Sequence, residues 1–302
     1  MSSFKVKSIV LQVKRHFCVL GVAGILCMFA STGIAASDKP VTVSVGILPL
    51  KTFVERIGGR HVQAVVLVPP GKSPATYEPS PRQMETAAAS SLYFRIGVPF
   101  EKSWIPRLKG VAPQIGIVDL QQGITLRPVD LPPGAPKSAG GQSDPHIWLS
   151  PPLVKTMADR ILEALSTLKP EARTDFAANH HRFVTELNVL DQDIRTRLGK
   201  KKNRSFMVFH PTWGYFADAY GLKQIPIEAA WKEPGPKAMQ HFIEYAKKQE
   251  TKVIFIQKQF SDKEALAVAQ SIGGEVVSVD PLSPDYVSNL KMVADVFARS
   301  LN

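Results

Sequence analysis

Short apolar runs alternate with helical periodicities along most of this chain. Residues 41–47, 62–68, 92–96 and 115–118 read as buried strands. Residues 53–57 form part of a helix and 81–89 another, with Pro81 suited to a first helical turn. The alternation restarts after residue 200, with strands over 206–209, 224–227, 253–256 and 275–279. Helices over 213–220, 237–248, 262–272 and 286–300 complete it, the first closed by Gly221. Short buried strands spaced by helices indicate parallel βαβ units.

Two longer helical patterns separate these halves. One follows Pro151 and runs to about residue 167. The other covers 170–198, where Phe176, Phe183, Leu187, Leu190, Ile194 and Leu198 fall near helical spacing. At about 1.5 Å per residue it reaches roughly 40 Å, longer than one lobe needs, and so reads as a strut between lobes. His180 and His181 lie on it with no partner ligand at helical spacing and are read as a solvated face. The expected fold is α/β: two βα-sandwich lobes with mainly parallel sheets, joined by one long rigid linker helix. Its expected parts are an N-terminal lobe over 37–168, the linker helix over 169–200 and a C-terminal lobe over 201–302.

The first 36 residues read as a signal peptide. Lys5, Lys7, Lys14 and Arg15 form a basic start, residues 17–30 an apolar core, and cleavage is expected near Ala35–Ala36. Both cysteines, Cys18 and Cys27, fall in this leader. The expected mature chain thus has no disulfide, thiolate ligand or cysteine nucleophile. Without the leader's four basic residues, 33 Lys and Arg face 26 Asp and Glu, a net charge of +7. These charges are interspersed, with one basic run at 200–202, which argues against nucleic-acid binding. About 265 mature residues suffice for two lobes with their own cores.

Candidate chemistry starts at Asp144-Pro145-His146-Ile147-Trp148-Leu149-Ser150-Pro151, a loop ahead of a helix. The two prolines restrict its backbone, so His146 is offered with little entropy left to lose. His210 follows the apolar run 206–209, and Asp280 follows the run 276–279. Residues at the carboxyl ends of parallel strands face the crevice where open α/β sheets bind ligands. Imidazoles and a carboxylate suit zinc. Separations of 64 and 70 residues form no local motif. A hydrogen-bonded histidine at 210 and a turn or cap carboxylate at 280 stand beside the ligand reading.

The chain resembles the metal-specific substrate-binding proteins of bacterial ABC importers, in their zinc-uptake, ZnuA-like branch. The resemblance rests on Pro70-Gly-Lys-Ser-Pro-Ala-Thr-Tyr-Glu-Pro-Ser-Pro81, the 144–151 loop, Phe209-His-Pro-Thr-Trp-Gly-Tyr-Phe216, Gln259-Phe-Ser261 and Val279-Asp-Pro-Leu282. It implies a metal buried between two lobes, with His146, His210 and Asp280 as ligands. A histidine at 210 matches the zinc-type rather than the manganese-type pattern. Three departures stand out. Ala75 occupies the position where the family usually supplies a further histidine, and Gln257 stands where glutamate is common. The His- and acid-rich loop before Asp144 is replaced by Pro, Gly, Ala and Ser. Glu78 or water then becomes the candidate for the fourth place.

What the resemblance implies is a periplasmic, non-catalytic component that captures Zn2+ and presents it to an ABC permease in the inner membrane. The chain is expected to be a monomer. Within binding proteins, the alternatives are Mn2+ or another divalent metal, a metal chelate or a small solute. A zinc hydrolase shares the stoichiometry of three protein ligands plus water, but no His-Glu-x-x-His arrangement supplies a general base. A structural adhesin is a further alternative. Trp148 and Trp213 lie beside proposed ligands, and Trp231 is expected in a cleft loop over 228–236. Core and cleft wall are both open readings for Trp213.

Overall fold

The computed structural model describes residues 39–301 apart from 137–140, 200, 229–234 and 260–262. The expected leader with Cys18 and Cys27, and Trp231, lie outside the described residues.

The N-terminal half forms one four-stranded parallel sheet from β1 (Val41–Val45), β2 (Val62–Val66), β3 (Leu92–Arg95) and β4 (Gly116–Asp119), in the order β2-β1-β3-β4. Its helices are α1 (Leu48–Gly58), α2 (Pro81–Ala88), α3 (Glu101–Val111) and α4 (Pro151–Leu168). Ser80 and Gln83 close a reciprocal capping box at the start of α2, with Pro81 in the first turn. Helix α3 has no counterpart in the sequence reading. Pro106 lies inside it and Gly110 near its end, and both residues argue against a helix interior.

The second half repeats the plan. Strands β5 (Ser205–Val208), β6 (Lys223–Pro226), β7 (Val253–Gln257) and β8 (Glu275–Val279) pair in parallel in the order β6-β5-β7-β8. Around them lie α6 (Gly214–Tyr220), α7 (Pro236–Lys248), α8 (Lys263–Ile272) and α9 (Tyr286–Ser300). Gly221 ends α6 at φ 63°, the left-handed conformation that a helix stop of this kind requires.

Helix α5 (Arg173–Leu198) connects the two sheets, preceded by a 3-10 turn over Pro170–Ala172. Its buried residues are Phe176, Phe183, Leu187, Leu190, Ile194 and Leu198, the six picked out by periodicity. It packs against α1 and α4 of the first lobe and α9 of the second. Phe53 of α1 meets Phe183 of α5 at 5.6 Å and Tyr286 of α9 edge-on at 4.8 Å, so the lobes share core around the strut.

Strand order also sets where a ligand can enter. In each sheet the chain reverses its direction of progress beside the first strand, between β1 and β3 and between β5 and β7. The carboxyl ends of those central strands flank a crevice.

Candidate metal centre between the lobes

Five loops converge on a small cavity. Ser73, Pro74 and Ala75 reach it from the loop after β2, and Val98 and Pro99 from the loop after β3. His146 and Trp148 enter from the loop ahead of α4, and His210 and Thr212 from the loop after β5. Gln257, the last residue of β7, and Pro281 and Leu282 complete the wall. The cavity measures about 10 Å3, room for one ion or water-sized group.

Both histidines are buried and each is held by a carboxylate. His146 Nδ1 lies 2.7 Å from Asp144 Oδ1, which also accepts the His146 backbone N–H at 2.9 Å. His210 Nδ1 lies 2.6 Å from Glu228 Oε2. A carboxylate at Nδ1 fixes the tautomer and orientation, so each ring would meet a metal through Nε2. The ring centroids are 5.7 Å apart and the planes cross at 83°. Burial pushes the His210 pKa below the usual histidine value, with Glu228 opposing the shift in part. The neutral, ligand-competent ring therefore persists to lower pH.

Further groups hold this arrangement. Arg127 Nη1 is 3.3 Å from the fully buried Asp144, while the same guanidinium pairs with Asp130 at 2.9 Å and with Asp218 of the other lobe at 2.9 Å. Tyr215 donates its hydroxyl proton to the Asp144 carbonyl at 2.9 Å and accepts the Arg127 N–H at 3.0 Å. Trp148 packs 5.1 Å from His146 and donates its indole N–H to the Pro281 carbonyl across the cleft at 2.8 Å. On the first lobe's side, the buried Glu101 carboxylate accepts from Tyr93 Oη at 2.8 Å, Ile96 N at 3.1 Å and Gly97 N at 2.6 Å. These bonds fix the loop that carries Val98 and Pro99. Burial pushes the Glu101 pKa up to about 7, against the hydrogen bonds from Tyr93, Gly97 and Ile96.

The other residues singled out by sequence lie as follows. Asp280 directly follows β8, as its position after an apolar run implies, but β8 is the edge strand. Its Oδ1 accepts from Gln259 Nε2 at 3.0 Å and from the Leu282 N–H at 2.9 Å. It lines a neighbouring cavity of about 180 Å3 with Ile47, Val68 and Pro70, and Leu282 forms a wall of both spaces. Glu78 stands on the outer surface, its side chain 80% exposed and paired with Arg107 at 3.2 Å. Among the described residues, no three His, Cys, Asp or Glu side chains are grouped closely enough to hold a metal together. Trp213 is core, stacked edge-on against Phe216 and Phe297.

Sequence reasoning passed over Asp144, Glu228 and Arg127. Asp144 stands within the loop that carries His146. Glu228 lies two residues beyond β6, the neighbour of β5, so the strand-end rule that found His210 applies to it equally. Nothing in the local sequence marks Arg127.

The family described as zinc-uptake complex component A, periplasmic, matches residues 43–300. A crystal structure of ZnuA is similar at a TM-score of 0.81 and 38% identity, covering 87% of this chain and 100% of that one. A ZnuA deletion mutant with zinc bound is similar at 0.80 and 39%, covering 87% and 98%. The high-affinity zinc uptake system protein ZnuA of Bacillus subtilis is 26% identical over 281 residues, 88% of this chain and 86% of that protein.

Proposed function

We propose, for a chain that belongs to the periplasmic zinc-uptake complex component A family, that zinc is its cargo and that the cavity between the lobes is where it is held. Members of this family are periplasmic metal-binding transport carriers rather than enzymes, and membership implies an ABC permease as partner. The observation that carries the zinc reading is the pair His146 and His210. Two buried imidazoles from different lobes lie 5.7 Å apart, each anchored through Nδ1 on a buried carboxylate. Neutral imidazole backed by carboxylate is a zinc-ligating unit.

In this reading His146 and His210 bind the metal first. Asp280 supplies the third ligand by turning from Gln259 and Leu282 toward the shared Leu282 wall. Ala75 contributes no lone pair, and Glu78, on the outer surface, contributes none to the cavity either. A space of about 10 Å3 favours a bare ion over a metal chelate or an organic solute. Carboxylates behind both rings offset the metal's charge, and the Trp148 bond across the cleft holds the walls at a fixed separation.

The test is elemental analysis of protein purified without added metal, followed by calorimetric titration with zinc and manganese. One zinc per chain, bound more tightly than manganese, is expected. Preference for manganese, or no bound metal under either condition, would refute the zinc reading.

A further inference from the structure

Away from the cleft, each lobe ends at the amino ends of its strands, and in the second lobe that end gathers positive charge. Every strand of that sheet starts there, and the helices that return from the cleft finish there. Lys202 precedes β5, Lys223 opens β6 and Lys252 precedes β7, while Lys247 and Lys248 close α7 and Arg299 lies in the last turn of α9. Backbone bonds tie these segments side by side. Lys223 N–H donates to the Arg204 carbonyl at 2.6 Å, Glu275 N–H to the Lys252 carbonyl at 2.8 Å and Thr251 N–H to the Ala246 carbonyl at 3.0 Å. All six bases are exposed, and among the described residues none of them forms an ion pair. Glu250 and Glu275 are the carboxylates beside them, whereas Asp191, Asp193 and Asp295 are already taken by Arg195 and Arg197.

Bases in the last turn of a helix complement its dipole, which accounts for Lys247, Lys248 and Arg299 one by one. It does not account for Lys202, Lys223 and Lys252, which stand beside strand starts. The sequence scatters these residues from 202 to 299, and the parallel topology brings them to one face. Within that face a cavity of about 280 Å3 opens among Asn203, Ser205, Thr251, Lys252, Arg299 and Ser300, with Glu250 also on its wall. Hydroxyl, amide and basic side chains are the donors that phosphate oxygens accept from. Among the described residues the large exposed apolar side chains, Val111, Val189, Leu266 and Met292, all lie elsewhere, and no helix is long and apolar enough to cross a membrane. The face therefore suits an extended, phosphate-bearing polyanion held by charge rather than by insertion. In the periplasm, where this family works, such a surface is an anionic lipid bilayer. The geometry points to the amino-end face of the second lobe as a docking surface for anionic phospholipid headgroups. A basic residue within a Debye length of that surface, about 8 Å, adds roughly fivefold to partitioning. His146 and His210 sit at the opposite end of the strands, so docking leaves the cleft free and holds the carrier on the membrane that carries its permease. This inference does not depend on which metal the cleft takes.

The experiment sediments the exported protein with phosphatidylcholine vesicles made with or without phosphatidylglycerol, at low and at high salt. Wild type is expected to sediment with the anionic vesicles at low salt, to leave them at high salt and to ignore the neutral ones. Lys223→Gln, Lys247→Gln and Lys252→Gln together should lower the partition coefficient by at least about tenfold. Arg82→Gln, Lys102→Gln and Arg173→Gln together remove the same charge from exposed sites outside this face. That control should stay within about twofold of wild type, because its sites lie beyond the reach of the bound surface. Circular dichroism verifies the fold of each variant, and the exposed pair Lys247→Gln and Lys248→Gln repeats the reading without touching a strand start. A wild type that binds neither kind of vesicle, or both equally, overturns the inference. So do equal losses in the two triple variants, which would make net charge rather than this face responsible. Retention on heparin without binding to anionic vesicles assigns the face to a different polyanion and overturns it as well.

Discussion

Gly214 approaches Arg127 so closely that a methyl group on Gly214 would lie 1.6 Å from Arg127 Nη1 and 2.8 Å from Asp144 Oδ2. The bare backbone at the start of α6 is what lets the guanidinium sit between Asp144 of one lobe and Asp218 of the other. An arginine tip can usually swing aside at little cost, but here it would leave three carboxylates, one of them fully buried. Gly214→Ala should therefore destabilise the protein by about 1–3 kcal/mol, the usual cost of overpacking. It should also weaken zinc by about tenfold, because Asp144 orients His146 and loss of such a support costs that much or more. Thermal melting and zinc titration of the variant check both effects. Unchanged zinc affinity in a destabilised protein would separate the Arg127 bridge from the site.

Position 75 offers a gain rather than a loss. Ala75 lines the cavity that holds both histidine rings. An imidazole there would add a protein ligand to the proposed zinc site, toward the tetrahedral set that zinc favours. Ala75→His is expected to raise zinc affinity ten- to a hundredfold, or about 1–3 kcal/mol. Competitive titration against a chromophoric chelator measures the gain, and weaker binding would mean the added ring does not fit.

Proton competition at His210 has a defined sign. Burial holds its pKa below the usual histidine value, so the ring stays neutral to lower pH than a free imidazole near 6.5. The loss of zinc affinity caused by protonating this residue should begin below about pH 6.5, not at it. For folding, the unfolded chain binds the proton first, so the His210 contribution to stability is present above about pH 6.5 and falls away as pH drops through the folded-state value. Zinc titrations at half-unit pH steps, in wild type and His210→Gln, isolate this component.

Glu101 runs the other way. Its folded pKa is raised to about 7 from an ordinary 4.5. The folded protein thus holds a proton that the unfolded chain has released. Its contribution to stability is full below about pH 4.5 and is lost as pH rises through about 7, by up to about 3 kcal/mol. Glu101→Gln should flatten that slope in urea unfolding across this range. An unaltered slope would mean that Glu101 does not carry it.

Much of the fold was legible because burial imposes periodicity. The α5 stripe from Phe176 to Leu198 faces core along its whole length, so spacing alone identified its buried face. Strand ends located His210 and Asp280 at the right level of the second lobe. What the pattern lacks is lateral order. Nothing in the one-dimensional alternation says that β7 lies beside β5 and β8 at the edge. That order brings Gln257 to the histidines and turns Asp280 toward the neighbouring cavity. Glu228 reaches His210 for the same reason, through the pairing of β6 with β5. Helix α3 was lost to local propensity: tertiary packing of Trp104 and Leu108 and the buried Glu101 outweigh Pro106. At position 78 the sequence placed a carboxylate near the cleft loop, but Arg107 holds it on the outer surface.

The central claim is that His146 and His210 grip one metal ion from opposite lobes. Calorimetric zinc titration of wild type, His146→Ala and His210→Ala, with circular dichroism to verify folding, tests it most directly. The expected result is one zinc per wild-type chain and a loss of affinity of at least about tenfold in each folded variant. Zinc isotherms in the two variants that overlay the wild type would contradict it.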